Sequence, residues 1–513
     1  MIFDTVVMGR LSSALTVHSF WELLCCLLTL LVVYMIGWTI YTLFFHPLSR
    51  YPGPKLAAIT PMVHLLWDIQ GKQHSTIKML HDKYGDVVRI APNALAYRAA
   101  SAWKDIYGHR KKGQRIFLKD PALYAPTPNG VNAIITANED DHSRMRRLLT
   151  HAFSNKALRE QEEILHTYAD MFIEKLQGLI GSAASQNIDI AQWFNFTTFD
   201  LIGDLAFGEP FGCLSNSTYH WWVLIILDAV KASAYLKIFW FYPFLLPLVQ
   251  VLVPKHLIEK RESSFKLSVE KVRRRLALGT TRPDFTSYIL KHAKDGKGMS
   301  PSEMDANSAV FVLAGSETTA ALLSGCTYYL LCNRDKYTRL VLEIRGAFKK
   351  ASDIRLSALV DLPYLNAVLT ESMRIYPPIP SMLPRIVPQG GAMINDRYVP
   401  GNVSVSVSLY SAFHAASHFK NPETFAPERW MNEPEYDSDM KEAFQPYSYG
   451  PRNCLGQHLA NAEMRLILAK FLWHFDLELL PQSMNWKDQK TFSLWKRPEL
   501  MIKLFRAGTN SEM

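Results

Sequence analysis

Near its C-terminal end the chain reads Phe444-Gln445-Pro446-Tyr447-Ser448-Tyr449-Gly450-Pro451-Arg452-Asn453-Cys454-Leu455-Gly456-Gln457-His458. Gly450, Arg452, Cys454 and Gly456 alternate, and a helix-like run follows from Leu459. Such a loop pushes one thiol forward at a helix start, with backbone N–H groups aimed at the sulfur. Helix N-termini and neighbouring cations lower a cysteine pKa, so the pattern suits a lone thiolate. A thiolate held this way serves haem iron better than a disulfide or a zinc cage. On local grounds a structural cysteine in a glycine-rich turn is an equally good account.

Upstream, Ser300-Pro301-Ser302-Glu303 has the signature of a helix start: Ser300 to cap, Pro301 in the first turn, Glu303 to close a capping box. The apolar helix that follows runs towards Cys332, and in its middle is Ala314-Gly315-Ser316-Glu317-Thr318-Thr319. Glycine costs a helix interior about 1 kcal/mol relative to alanine, and buried polar groups need partners. A glycine, an acid and a hydroxyl together allow close ligand approach and a proton relay through Glu317 and Thr318. The alternative is a threonine bonded back to its own helix and an exposed glutamate. Glu371 and Arg374, three apart in a run from Val368 to Ile375, share one helix face. Alone they make an ordinary surface ion pair. Joined by Arg429 of Pro427-Glu428-Arg429-Trp430, they make a buried network that holds the loop before Cys454 in one shape. In Asp141-His142-Ser143-Arg144-Met145-Arg146-Arg147, His142 and Arg146 share a face suited to a carboxylate, or else to solvent.

These groups need a large scaffold. The chain has 513 residues, 48% hydrophobic and 20% charged, enough for a sizeable core and too apolar for global disorder. Its net charge of +9 is spread over short runs such as Arg110-Lys111-Lys112 and Lys271-Val272-Arg273-Arg274-Arg275. No basic array is interleaved with aromatics, which argues against a nucleic-acid groove and for an anionic membrane surface or an acidic protein partner. The six cysteines, Cys25, Cys26, Cys213, Cys326, Cys332 and Cys454, have neither zinc-cage nor disulfide-framework spacing. Reduced thiols and a cytosolic main domain are expected.

From Leu23 to Phe45 there is no charged residue. As a helix this stretch spans roughly 34 Å, against a hydrocarbon core of about 30 Å. It ends in bulky Phe44-Phe45-His46-Pro47 and reads as a transmembrane anchor, not a cleaved signal peptide. The expected organisation is an N-terminal lumenal segment (1–22), the anchor (23–45), a proline-rich connector (46–55) and one cytosolic domain (56–513), mainly helical with a minor sheet. Strands are expected at Asp86–Ala91 and across the alternating Val403–Leu409. Ile238–Pro254, interrupted by Pro243 and Pro247, reads as a hydrophobic lip at the bilayer surface or as a core segment.

Each signal alone is modest; their order is not. The sequence resembles a membrane-bound cytochrome P-450 over essentially its whole length, and looks most like the fungal microsomal kind that tailors secondary metabolites. Phe44-Phe45-His46-Pro47, Pro52-Gly53-Pro54 and the run Phe199 to Gly208 support the fungal likeness. The resemblance implies the P-450 fold, mainly α with a minor β-sheet, preceded by one transmembrane helix. It implies haem b with Cys454 as the axial iron ligand, and Glu317 and Thr318 as the catalytic, proton-steering pair. Arg146, Arg385 and Arg452 would pair with the haem propionates, assisted by His142, while Glu371, Arg374 and Arg429 would be structural. The implied enzyme belongs to the endoplasmic reticulum membrane and inserts one atom of dioxygen into an apolar small molecule of terpenoid, polyketide or indole origin. Electrons would come from NADPH through cytochrome P-450 reductase, with cytochrome b5 as an additional donor. The implied substrate-facing stretches are Ile116–Ala137, Trp221–Ala234, Val310–Thr318, Ser381–Leu383 and Phe492–Leu494. Two positions depart from the family pattern: Tyr447 replaces a phenylalanine seven residues before the cysteine, and His142 replaces a tryptophan. One rival is a P-450-fold isomerase or dehydratase working without dioxygen, against which the intact Glu317-Thr318 pair argues. Another is a non-catalytic membrane haem or lipid-binding protein, which would give no NADPH-dependent product.

Overall fold

The most apolar stretch of the chain makes its longest helix. In a computed structural model, Ile2–Ile40 is one continuous helix of 39 residues, closed by a π-turn at Tyr41–Phe45. Pro47, which has no N–H to donate, stops it there. The expected boundary between a lumenal segment and the anchor at Leu23 is therefore not a break in structure. Nothing in the sequence before Leu23 interrupts an α-helix, and the backbone is helical from Ile2. Phe20–Phe45 is apolar and none of its most apolar window is buried against the rest of the protein. Pro301–Cys332 is also long and apolar enough to cross a membrane, but it is mostly buried in the domain.

The structure describes residues 2–110, 113–121, 124, 129–181, 185–225, 237–238, 241–242, 244, 247, 255–279, 282–292 and 298–508. Most of Ile238–Pro254, and parts of Ile116–Ala137 and Trp221–Ala234, lie outside the described residues.

The connector is not a free spacer. Leu48 is fully buried with Val87, Leu95 and Val405. Arg89 accounts for the rest: its guanidinium is buried and donates to the carbonyls of Thr42 (2.8 Å) and Pro92 (2.7 Å). Its backbone N–H bonds Pro52 O at 2.7 Å, and a side chain on Gly53 would run into Arg89 O. Prolines stiffen this segment, but burial of Leu48 and the needs of Arg89 fold it onto the domain.

The domain is built around Pro301–Cys332, whose Ser300 capping box forms as its sequence requires. This helix lies along Ile190–Phe207, in which every residue except Gln192 is buried. Its buried polar residues are partnered: Asp200 accepts from Cys213 and Leu214 N–H, and Asp204 pairs with Arg282. Asn155–Ile180 and Gln457–His474 complete the bundle, joined through Phe172, Phe194 and Phe471 with ring centroids 5.6–5.7 Å apart.

The main sheet has five strands in the order Val87–Ala91, Ala94–Tyr97, Ser404–Val407, Arg385–Ile386, Leu118–Lys119. Only the Ala94–Tyr97/Ser404–Val407 pair is parallel. Both expected strands form, the first starting one residue later at Val87 and the second spanning Ser404–Val407, one residue shorter at its start and two at its end, with Leu409 opening a short helix. This sheet brings Lys119 directly opposite Arg385.

Candidate active site around Cys454

The loop before Cys454 is fixed by backbone geometry. Ser448 and Gly450 both have positive φ, 61° and 76°. At Gly450 a Cβ would lie 2.0 Å from Tyr107 O, so only glycine fits there. A 3-10 turn at Gly450–Arg452 follows, Cys454 N–H donates to Tyr447 O at 2.8 Å, and the helix begins at Gln457. Arg146, on helix Glu139–Thr150, donates to Asn453 O (2.7 Å) and Asn453 Oδ1 (2.5 Å). Arg146 thus braces the residue before Cys454. Both of its Nη atoms bond the loop.

The thiol is deep in the domain yet not packed over by side chains. Burial pushes its pKa up, and this outweighs the Gly456 N–H directed at the sulfur and the charge of Arg146. The expected lowering by helix start and cations is therefore overturned: desolvation of a thiolate costs more than one N–H and one cation return. A coordinating metal deprotonates a thiol outright. Tyr447 donates its hydroxyl to Asn461 Oδ1 at 2.9 Å.

Beside the loop, cations converge. Arg452 donates to Ala137 O (2.9 Å) and Glu139 Oε2 (3.1 Å), while its buried Nη1 has no hydrogen-bond partner among the described residues. Arg385 is buried, its Nε without a hydrogen-bond partner among the described residues and Tyr107 under its guanidinium at 5.6 Å. Lys119 donates to Ile135 O, and burial with Arg385 and Arg452 lowers its pKa to about 6. His142 is buried on the same side; burial first, then Arg452, Arg146, Lys119 and Arg385, hold its pKa near 3, so it takes part as a neutral ring. Like charges opposite one another across a ladder destabilise it. Arg385 and Arg452, with Lys119 beside them to take up a proton when an anion binds, form a receptor for carboxylates.

On the long helix, Thr318 and Ala314 face accessible interior, and Thr318 Oγ1 donates to Ala314 O at 2.7 Å. Glu317 points the other way. It is buried and ion-paired to Arg497, which also donates to Asn195 Oδ1 at 3.0 Å. Burial raises the Glu317 carboxyl pKa against the pull of Arg497, and Glu317 Oε2 has no hydrogen-bond partner among the described residues. Gly315 serves neighbouring chain, not ligand: a Cβ there would lie 2.5 Å from Ile202 Cδ1, so it lets the two central helices touch.

Glu371 and Arg374 are fully buried, and Arg429 reaches Glu371 Oε2 at 3.4 Å. The surface-pair reading of these residues does not hold. Asp439 and Trp430 also belong to the set, through Arg429 and Glu371 respectively.

The family model for cytochrome P450 matches residues 52–504. The chain belongs to the cytochrome P450 family. It is 49% identical over 468 residues to cytochrome P450 monooxygenase astJ of Aspergillus oryzae (strain ATCC 42149 / RIB 40), covering 91% of this chain and 93% of that protein. It is 43% identical over 502 residues to cytochrome P450 monooxygenase efuB of Hormonema carpetanum, covering 97% and 99%. With cytochrome P450 monooxygenase atr2 of Stereocaulon alpinum the identity is 45% over 469 residues, covering 91% and 92%. The P450 family implies haem, a redox partner and a small-molecule substrate, and the relatives make this chain a monooxygenase.

The residues present fit a haem. They offer one unpacked thiol at depth and, beside it, unpartnered guanidinium nitrogens on Arg385 and Arg452 suited to its two carboxylates. Replacing Arg385 by Met should speed transfer of haem to apomyoglobin roughly tenfold or more, the worth of a charge-assisted hydrogen bond. An unchanged transfer rate counts against the cluster as the carboxylate receptor.

Sequence reading missed Lys119, Arg497 and Asn453. Lys119 lies within a stretch expected to face substrate, but only strand pairing reveals it as the partner of Arg385. Arg497 lies 180 residues from Glu317, with no local signal linking them.

Proposed function

We propose that this P450 is a single-pass enzyme of the endoplasmic reticulum membrane that oxygenates an apolar intermediate of fungal secondary metabolism, of terpenoid, polyketide or indole origin. The observations that support it most are a deep Cys454 thiol not packed over by side chains and, on the long helix, an exposed Ala314 with a partly exposed Thr318 one turn on. Haem b bound through Cys454 supplies the oxygen chemistry, since thiolate ligation favours O–O cleavage. Arg385, Arg452 and Lys119 hold its carboxylates, with neutral His142 alongside, and Arg146 keeps the cysteine loop in register. Thr318 offers the hydroxyl nearest the reacting space. Glu317, behind it, supplies a carboxyl group when its bond to Arg497 is exchanged. The apolar helix Phe20–Phe45 supports anchoring, and the cytosolic domain takes NADPH-derived electrons from cytochrome P450 reductase, with cytochrome b5 as an additional donor.

The test is co-expression with the reductase, feeding candidate intermediates and identifying products by mass spectrometry. Replacing Thr318 by Ala should cut product per NADPH consumed by roughly tenfold to a hundredfold, within reach of a lost proton-transfer group, with hydrogen peroxide released instead. Full product yield from that variant would remove Thr318 from the proton path. Product formed without reductase or dioxygen would favour the isomerase alternative.

A further inference from the structure

The segment 129–137 crosses from the cation cluster to the long helix, and its backbone is pinned at both sides. On the cation side Lys119 holds Ile135 O and Arg452 holds Ala137 O. On the helix side, Asn129 Nδ2 donates to Ser302 O at 3.1 Å, and Ile134 N–H donates to Asn307 Oδ1 at 2.9 Å. Asn307 is 1% exposed and its amide is fully used: Nδ2 donates to Glu303 O at 2.7 Å and lies 3.8 Å from Met145 Sδ. One side chain therefore ties together the long helix, the helix that bears His142 and Arg146, and the strap between them. A buried asparagine is costly unless satisfied, and every bond it makes here is to a fixed neighbour except the one to Ile134, which lies in a strap without regular secondary structure.

We propose that Asn307 is a positioning residue for the oxygenation: through the Ile134 N–H it holds the 129–137 strap closed between the carboxylate receptor and the stripe that carries Thr318. Asn307 touches neither substrate nor cofactor. It acts by fixing the strap, and the cations that hold the far side are those assigned to haem. The inference rests on that assignment, so binding of haem and closure of the strap are read separately.

The experiment uses the full chain, haem-loaded in lipid nanodiscs. Hydrogen exchange reads the strap, and carbon monoxide rebinding after flash photolysis reads access to the iron; haem content comes from the reduced carbon monoxide difference spectrum. In the wild type the Ile134 amide should be protected like helix core. Asn307→Leu, which fills the same space but accepts no bond, should speed exchange in 129–137 about tenfold and raise the rebinding rate with haem content unchanged. Asn307→Asp keeps the acceptor and should protect Ile134 as the wild type does. Fast Ile134 exchange in the wild type overturns the proposal even if Asn307→Leu fails to load haem. So does a loaded Asn307→Leu variant with unchanged exchange and rebinding, or one whose exchange rises equally everywhere. Low haem content in the Arg385 variant with a protected strap keeps the clasp; normal haem content there counts against the receptor alone.

Discussion

Replacing Cys454 by Ala yields a protein with no thiolate-type band in its reduced carbon monoxide difference spectrum and no detectable reductase-driven turnover. The loop leaves no substitute ligand. Among the described residues no group of three His, Cys, Asp or Glu side chains is placed to hold a metal ion, and His142 is committed to the cation side. Cys454 alone is presented by a loop in which Gly450 has no room for a Cβ, Arg146 grips Asn453, and the Gly456 N–H meets the sulfur. Burial keeps the free thiol protonated at neutral pH, so metal binding must displace a proton, and haem loading should weaken as the medium is made more acidic. Changing Cys25, Cys26 or Cys332, all exposed, should leave the band intact. Cys213 and Cys326 are buried, and their loss should cost packing but keep the band. A thiolate-type band in the Cys454→Ala protein would show that another sulfur reaches the iron.

The parts of this site written in consecutive residues were legible before the structure. The cysteine loop, the Ser300 cap and the run from Ala314 to Thr319 are local, and local geometry follows from turn chemistry and helix periodicity. What these groups face was not legible. Gly315 is explained by Ile202 and Glu317 by Arg497, contacts set by packing across the domain. The direction of the Cys454 shift depends on burial, which a loop sequence does not encode. Arg385 was expected on a carboxylate from family likeness, but its pairing with Lys119 exists only once two distant strands align. Similarly, the composition of the N-terminal helix showed its long apolar run, while its fixed joint to the domain depends on Arg89 reaching back to Thr42.

Replacing Arg374 by Met should cost about 3–5 kcal/mol, the penalty for breaking a buried ion pair, and leave much of the protein without haem. That is a large share of the roughly 5–15 kcal/mol a folded domain holds. Arg374 makes both bonds to Glu371, at 2.7 and 2.9 Å, and also serves the carbonyls of Phe413 (2.9 Å), Pro422 (2.7 Å) and Thr424 (3.1 Å). Glu371 in turn accepts from Ala426 N–H at 3.0 Å and Trp430 Nε1 at 2.9 Å. Removing Arg374 leaves Glu371 with Arg429, at 3.4 Å, as its one cation and leaves three carbonyls unpaired, and it frees the 413–430 chain that leads to the cysteine loop. For an isolated buried pair, deleting both charges often restores stability. Here a Glu371→Leu/Arg374→Met protein should recover only the charge penalty, because the carbonyls and the Trp430 indole stay unpaired. A double-mutant cycle, read by denaturant unfolding at the haem band, should therefore show coupling of about 1–3 kcal/mol with the double variant still well below wild type. Arg374→Lys should rescue little, since an ammonium cannot make the five forked bonds of the guanidinium. By contrast, loss of Arg339, which is half exposed beside Glu428, should cost at most about 1 kcal/mol. An Arg374→Met protein that unfolds with the wild type and keeps its haem would reduce this network to an ordinary ion pair.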